Sequence, residues 1–198
     1  NITFKELSER NFKELYVTAT CLNKQKEVIF GKEQYPNMKV KDAVKISMSI
    51  PLYFEAVFID SIGTIHPKPK RDDHLDIVVD GGITSNFPIF LFDTIIDGKR
   101  IENPNTLGFK IDREEQIEQD RLKGTIAPIE ISRFNDYVSA LYNYVMESLN
   151  RTDFTEQDRK RTVSISSKGI SPKIKRLSSE QKSSLIKSGQ LYSQQHFE

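Results

Sequence analysis

The chain has 198 residues, 37% of them apolar and 29% charged, which suits one folded domain with a proper core rather than a disordered segment. Its net charge of +1 provides no global field to draw in nucleic acid or an acidic membrane. No stretch is long and apolar enough to span a bilayer, no signal-peptide pattern opens the chain, and Cys21, the single cysteine, excludes internal disulfides and CxxC metal clusters. With no methionine at position 1, the chain is expected to be a piece of a longer polypeptide.

In chain order, Ile2 to Arg10 places Phe4 and Leu7 at helical spacing. Leu15 to Leu22 alternates Leu15, Val17, Ala19 and Cys21 against Tyr16, Thr18 and Thr20, a strand pattern. Asn23 to Lys26 turns into a second run, Glu27 to Phe30, giving a hairpin that Gly31 closes. Val40 to Met48 predicts a helix burying Val40, Ala43, Val44 and Ser47, ended by Pro51. Ile59 to Asp76 is polar, with two prolines, and reads as a surface loop or irregular hairpin.

Leu75 to Pro88 is the pivot. Leu75, Ile77, Val78 and Val79 make a short buried-type run that Asp80-Gly81-Gly82 stops abruptly, so a strand delivers Asp80 at its carboxyl end. In open α/β sheets that edge is where ligands bind. Two glycines there allow a sharp turn and close approach of a substrate or another backbone. The bland alternative is a strand followed by an ordinary Asp-Gly turn.

Beyond it, Pro88 to Phe92 is apolar, Thr106 to Ile111 is a strand candidate, and charge-dense Asp112 to Leu122 reads as a solvated excursion. Ser132 is positioned to cap a helix carrying Phe134, Val138, Leu141, Val145 and Leu149, widened by Tyr137, Ala140 and Tyr144, and so expected to be well buried. Arg159-Lys160-Arg161 reads as a solvated joint ahead of a strand over Thr162 to Ser166. Ser178-x-x-Gln181 is a capping box opening a last helix with Leu185, Gly189 and Tyr192 inward. Interleaved strands and helices indicate the α/β class, with no repeat or linker dividing the chain.

Chemistry is sparse. His66 and His74 flank Asp72, Asp73 and Asp76, but the spacing fits no zinc or calcium pattern, and a solvated loop is the simpler reading. His196 lies two residues from the end, so a Ser-His-Asp triad is not expected. Neither GxGxxG nor GxxxxGK[ST] occurs, and the basic residues form no platform for nucleic acid.

Segments 15–30 (LYVTATCLNKQKEVIF), 40–57 (VKDAVKISMSIPLYFEAV) and 79–93 (VDGGITSNFPIFLFD) resemble patatin-like phospholipases in wording and order, and 176–190 looks like the closing helix of bacterial members. The resemblance implies a three-layer α/β/α fold with a mainly parallel sheet, incomplete on its N-terminal side. Residues 1–198 would then be the C-terminal portion of one such domain. It implies a lipid acyl hydrolase with a Ser–Asp dyad and no cofactor or metal, in which Asp80 is the dyad aspartate and Asp80, Gly81 and Gly82 form the DG[AG] motif. That pairing is chemically apt, because a serine hydroxyl is a weak nucleophile until a base lies within hydrogen-bond reach.

The chain departs from the family's pattern in two respects. No GxSxG elbow occurs, Ser47 and Ser49 lack flanking glycines, and no glycine-rich loop is present to supply oxyanion-binding N–H groups. The nucleophile is therefore expected from a missing N-terminal segment, and this chain alone should be inactive. A non-catalytic lipid- or protein-binding module on the same fold is the alternative. Partners implied are a phospholipid or other acyl lipid, peripheral contact with a membrane, and a segment or second chain covering an exposed sheet edge. Cytoplasmic and exported locations are both compatible with these residues.

Overall fold

The computed structural model describes residues 2–67, 74–122, 125–151, 154–170 and 176–198. The chain divides into two compact units, Asn1–Pro88 and Ile89–Glu198.

The first unit contains α1 (Phe4–Glu9), β1 (Val17–Cys21), β2 (Lys26–Phe30), α2 (Val40–Ser47), β3 (Val57–Ile59), β4 (Ile65–His66), β5 (Asp76–Asp80) and α3 (Gly82–Ser85). A capping box starts α1: Thr3 accepts from the Glu6 amide while the Glu6 carboxylate reaches back to the Thr3 amide. That fixes Phe4 inward at 2% exposure. The strands form one sheet in the order β2-β1-β5-β3-β4. β1 and β2 make the expected hairpin, with Val17 opposite Phe30 and Cys21 opposite Lys26. Asp60 shapes the β3–β4 hairpin. Its Oδ1 accepts from the Ile62 and Thr64 amides and its Oδ2 meets the His66 ring, which holds the carboxyl down to about 2. Gly63, at φ +86°, takes the left-handed position of that turn.

One face of the sheet carries Ala19, Cys21, Val28, Phe30, Val57, Ile59 and Val78, packed with Phe4, Met38, Ala43 and Ile46 into the core. Cys21 is a small buried side chain, as expected. On α2 the buried pair is Ala43 and Ile46, while Val44 stays 40% exposed; the inward stripe lies one step round from the expected one. The helix is held by burial, since the N-cap position, Lys39, offers no side-chain bond. Truncating Ile46, which is fully buried, to Ala would cost about 2–5 kcal/mol.

The second unit opens with a 3-10 turn, Ile89–Phe92, and then has β6 (Thr94–Ile96), β7 (Lys99–Ile101), β8 (Gly108–Asp112), α4 (Glu114–Leu122), α5 (Phe134–Arg151), α6 (Glu156–Lys160), β9 (Thr162–Ser166) and α7 (Ser179–Phe197). β8 and β9 pair in parallel from Gly108–Thr162 to Asp112–Ser166. α7 begins with the expected Ser178–Gln181 capping box and turns Leu185, Gly189 and Tyr192 partly inward. Ser188, buried between them, donates to the Ser166 carbonyl at 2.7 Å and ties the helix to β9.

The α/β class is as expected, but among the described strands parallel pairing is confined to β8–β9. Every pairing in the five-stranded sheet is antiparallel: β1–β2 and β3–β4 are hairpins, and β5 lies between β1 and β3 and runs against both. Three further expectations are corrected. The charge-dense stretch is helix α4, with Ile117 at 4% exposure and the Gln116 side chain bonding Thr125 and Ala127. Ser132 is not the anchor of α5: the Asp136 carboxylate accepts from the Ser132 and Arg133 amides instead. On α5 Phe134, Val138, Leu141, Tyr144 and Val145 are exposed, Phe134 at 77% and Tyr144 at 61%, while the Leu149 side chain lies outside the described residues.

Arg161 also departs from the solvated joint. It lies between Asp93 and Asp158, bonding the first at 2.5 and 2.6 Å and the second at 2.6 Å, and these carboxylates hold its guanidinium protonated far above the usual range. Arg100 joins the cluster through Asp158. Charges this deep persist because each side chain's hydrogen-bonding groups are met.

Candidate active site at the carboxyl end of β5

β5 runs through the middle of its sheet, with β1 on one side and β3 on the other. Pairing with β3 covers only Asp76 to Val78, whereas β1 follows the strand to Asp80, opposite Ala19. At its last residue β5 therefore has a strand on one side alone. On the other, the Asp80 amide donates to the Ser49 carbonyl at 3.0 Å, which replaces the lost ladder bond and ties the strand end to the segment after α2. Period-two alternation puts Asp80 on the Val78 face, at the rim of the packed core.

Both glycines have a steric role at this turn. A Cβ on Gly81 would lie 2.5 Å from both the Thr18 carbonyl oxygen and the Thr18 Oγ1, so the start of α3 sits directly on the β1 backbone. The Thr20 and Thr84 hydroxyls bond at 2.9 Å across the same contact. At Gly82 the nearest atoms to an added Cβ are side-chain oxygens, Asp80 Oδ1 at 2.9 Å and Asn86 Oδ1 at 3.2 Å. The Gly82 amide donates to Asp80 Oδ1 at 2.6 Å, fixing the rotamer of the carboxylate. Asp80-Gly81-Gly82 is thus a strand end, a contact that only glycine fits, and an amide aimed back at the carboxylate.

Among the described residues, no cation lies within 4 Å of the Asp80 carboxylate, and Oδ2 has no hydrogen-bond partner. The group is about half-buried, and burial pushes its carboxyl above the ordinary value, offset in part by the Gly82 amide. A carboxylate with one oxygen anchored and the other open, and with raised basicity, is arranged to accept a proton.

Ser49 does not present its hydroxyl to Asp80. The side chain is 5% exposed, and its Oγ donates to the Lys45 carbonyl at 2.8 Å. Its part in the site is its own carbonyl, a backbone contact with no signature in the residue pattern. Within the first unit His66 pairs with Asp60 and not with Asp80; in the second unit His196 stacks edge-on against Phe197. Asp76, at the other end of β5, is paired with Lys24 at 2.6 Å; Asp72 and Asp73 lie outside the described residues. No helix among the described residues is long and apolar enough to cross a membrane.

Residues 2–93 match the family model described as Patatin-like phospholipase, a span that contains Asp80, Gly81 and Gly82 but not segment 176–190. An uncharacterized protein of Acanthamoeba polyphaga mimivirus is 28% identical over 157 residues, 79% of this chain and 42% of that protein. A protein of Invertebrate iridescent virus 6 named as a probable lipid hydrolase is 34% identical over 89 residues, 45% of this chain and 26% of that protein. The chain thus spans less than half the length of these curated relatives. The crystal structure of VipD from Legionella pneumophila superposes with a TM-score of 0.51 over 98% of this chain and 34% of that one; at 14% identity this likeness concerns the fold alone. The segments 15–30, 40–57 and 79–93, which carry the resemblance, all lie inside the span matched by the patatin-like family model.

Proposed function

We propose that this chain supplies the aspartate half of a Ser–Asp dyad in a lipid acyl hydrolase, with Asp80 as the general base. The observation that carries the reading is the Asp80 carboxylate at the end of β5, held by the Gly82 amide on one oxygen and open on the other. The match to the patatin-like family and the similarity to a probable lipid hydrolase supply the substrate class, an acyl ester of a lipid. In the first half-reaction Asp80 takes the proton of a serine hydroxyl as the serine oxygen bonds to the ester carbonyl carbon. The proton passes to the departing alcohol as the ester C–O bond breaks and an acyl-serine forms. In the second, Asp80 deprotonates a water that attacks the acyl-serine, releasing the fatty acid and returning the proton to serine.

On this reading the serine and the oxyanion-binding amides come from polypeptide outside these 198 residues, because no GxSxG occurs among them. The 198 residues would be the C-terminal portion of one patatin-like domain, completed by a segment or second chain that also covers an edge of the sheet. The test is hydrolysis of a fluorogenic acyl ester by the chain alone and in the natural polypeptide that carries a GxSxG segment. The expected result is no turnover by the chain alone and turnover in the longer protein. The second reading, a binding module that kept the fold without the chemistry, is favoured by the same lack of a nucleophile. It predicts no GxSxG in the natural polypeptide and no turnover by either form.

A further inference from the structure

We propose that the loop joining α2 to β3, together with the lysines of α2, is a docking surface for anionic membranes. Leu52, Tyr53 and Phe54 are 95%, 71% and 50% exposed, the only three consecutive exposed large apolar residues among the described ones. Met48, at the end of α2, is 64% exposed beside them. Soluble surfaces seldom gather large side chains in this way unless something covers them.

The loop is held in this form. A bridge pairs Pro51 with Phe54, and the Tyr53 and Phe54 amides both donate to the Ile50 carbonyl. Leu52 sits at φ +71°, a left-handed conformation costly for a side chain of its bulk. Strain kept at a fully exposed leucine points to a use for its position.

What covers the loop is argued from charge. Lys41 and Lys45 stand one helical turn apart and, with Met48, Phe54 and His66, border a cavity of about 910 Å³ behind the loop. Neither ammonium has a carboxylate within 4 Å among the described residues, and Glu55 is the one acidic side chain on the cavity wall. An apolar tip with a collar of unpaired lysines fits a bilayer interface: the tip enters the acyl boundary and the lysines meet anionic headgroups. The exposed stripe of α5 differs, having no lysine or arginine between Arg133 and Arg151. Ser49, whose carbonyl holds the Asp80 amide, lies in the same loop three residues before Leu52, so membrane contact would bring lipid to the candidate site.

The proposal takes from the proposed function only lipid as the partner, and its test reads binding without turnover. The sequence contains no tryptophan, so Leu52→Trp places the sole tryptophan at the tip, where it can be excited apart from the tyrosines. Vesicles of diether phosphatidylcholine alone, or mixed equally with diether phosphatidylglycerol, have no ester to cleave. The mixed vesicles are expected to shift Leu52→Trp emission to the blue. In the wild-type background, Lys41→Gln with Lys45→Gln should weaken sedimentation with mixed vesicles about 25-fold, about fivefold per lysine. Leu52→Ser should weaken it about tenfold without lowering the melting temperature. Asp80→Asn should bind as the wild type does, which separates failure of docking from failure of catalysis. No blue shift, equal binding to neutral and mixed vesicles, or a blue shift that rises with protein concentration in the absence of lipid would each overturn the proposal.

Discussion

Gly81→Ala isolates the contact that seats the Asp80 turn on β1. Gly81 already has helical angles, φ −68° and ψ −20°, so alanine meets no backbone penalty and gains about 0.4–1 kcal/mol through the unfolded chain. Against this, its Cβ would lie 2.5 Å from two Thr18 oxygens, 0.5 Å inside the 3.0 Å below which such contacts are essentially never found. One of those oxygens is backbone in a central strand and cannot rotate away, which places the overpacking cost near the top of its range, about 3 kcal/mol. Lifting α3 to relieve it also stretches the 2.9 Å Thr20–Thr84 bond, worth about 1 kcal/mol. The net expectation is a loss of about 3 kcal/mol, or about 6–12 °C in melting temperature for a chain of this size. Gly82→Ala is the control. Its nearest contacts, at 2.9 and 3.2 Å, are side-chain and not backbone oxygens and need shift only by a few tenths of an ångström, so its melting temperature should stay within about 3 °C of wild type. Thermal unfolding followed by circular dichroism makes the comparison. If Gly81→Ala melts with the wild type, α3 does not rest on β1 as described.

Asp80→Asn should raise stability at neutral pH. Burial lifts the folded carboxyl above its ordinary 3.8, so its stabilising contribution is fully present below pH 3.8 and lost as pH rises through the folded value. Urea midpoints of the two proteins should differ at pH 7 and converge near pH 4; equal midpoints at both would remove desolvation as the cause. Asp60 has the opposite sign. Its folded value of about 2 means that its contribution is present above 3.8 and fades as pH falls towards 2. Asp60→Ala should release the Ile62 and Thr64 amides to fast hydrogen exchange while the β1–β2 hairpin keeps its protection. Arg161→Met would leave Asp93 and Asp158, at 1% and 0% side-chain exposure, to share Arg100, a loss of about 3 kcal/mol in denaturant titration. Arg161→Lys should recover little of it, since an ammonium cannot bridge both carboxylates in the manner of a guanidinium.

Patterns with period two or a capping signature could be read directly: the strand Thr162–Ser166, the β1–β2 hairpin and the Ser178–Gln181 cap appear where expected. The β6–β7 hairpin had a usable signal in Asp97-Gly98, whose φ values of +49° and +73° suit a tight hairpin turn. It escaped notice because its strand residues are mostly exposed, so no apolar alternation flanks the turn. The α5 pattern predicted a helix correctly, but periodicity shows that a face is apolar and not what lies against it. Arg161 looked solvated because its partner Asp93 is 68 residues away. Strand direction failed for a related reason: a run such as Ile77-Val78-Val79 reports burial, and antiparallel neighbours can bury it as well as parallel ones. At the site, Asp80-Gly81-Gly82 stood out because a strand, a carboxylate and two glycines coincide. The Ser49 carbonyl did not, since a backbone acceptor looks the same under every side chain.

The central claim is that Asp80 is the base for a serine borne on other polypeptide. The direct measurement is the acyl ester hydrolysis rate of the natural polypeptide with Asp80 intact and with Asp80→Asn, both confirmed folded. Loss of the base should lower turnover by a factor of about a hundred to ten thousand. Turnover by Asp80→Asn equal to that of the wild type would contradict the claim and leave Asp80-Gly81-Gly82 as a turn that shapes the sheet and nothing more.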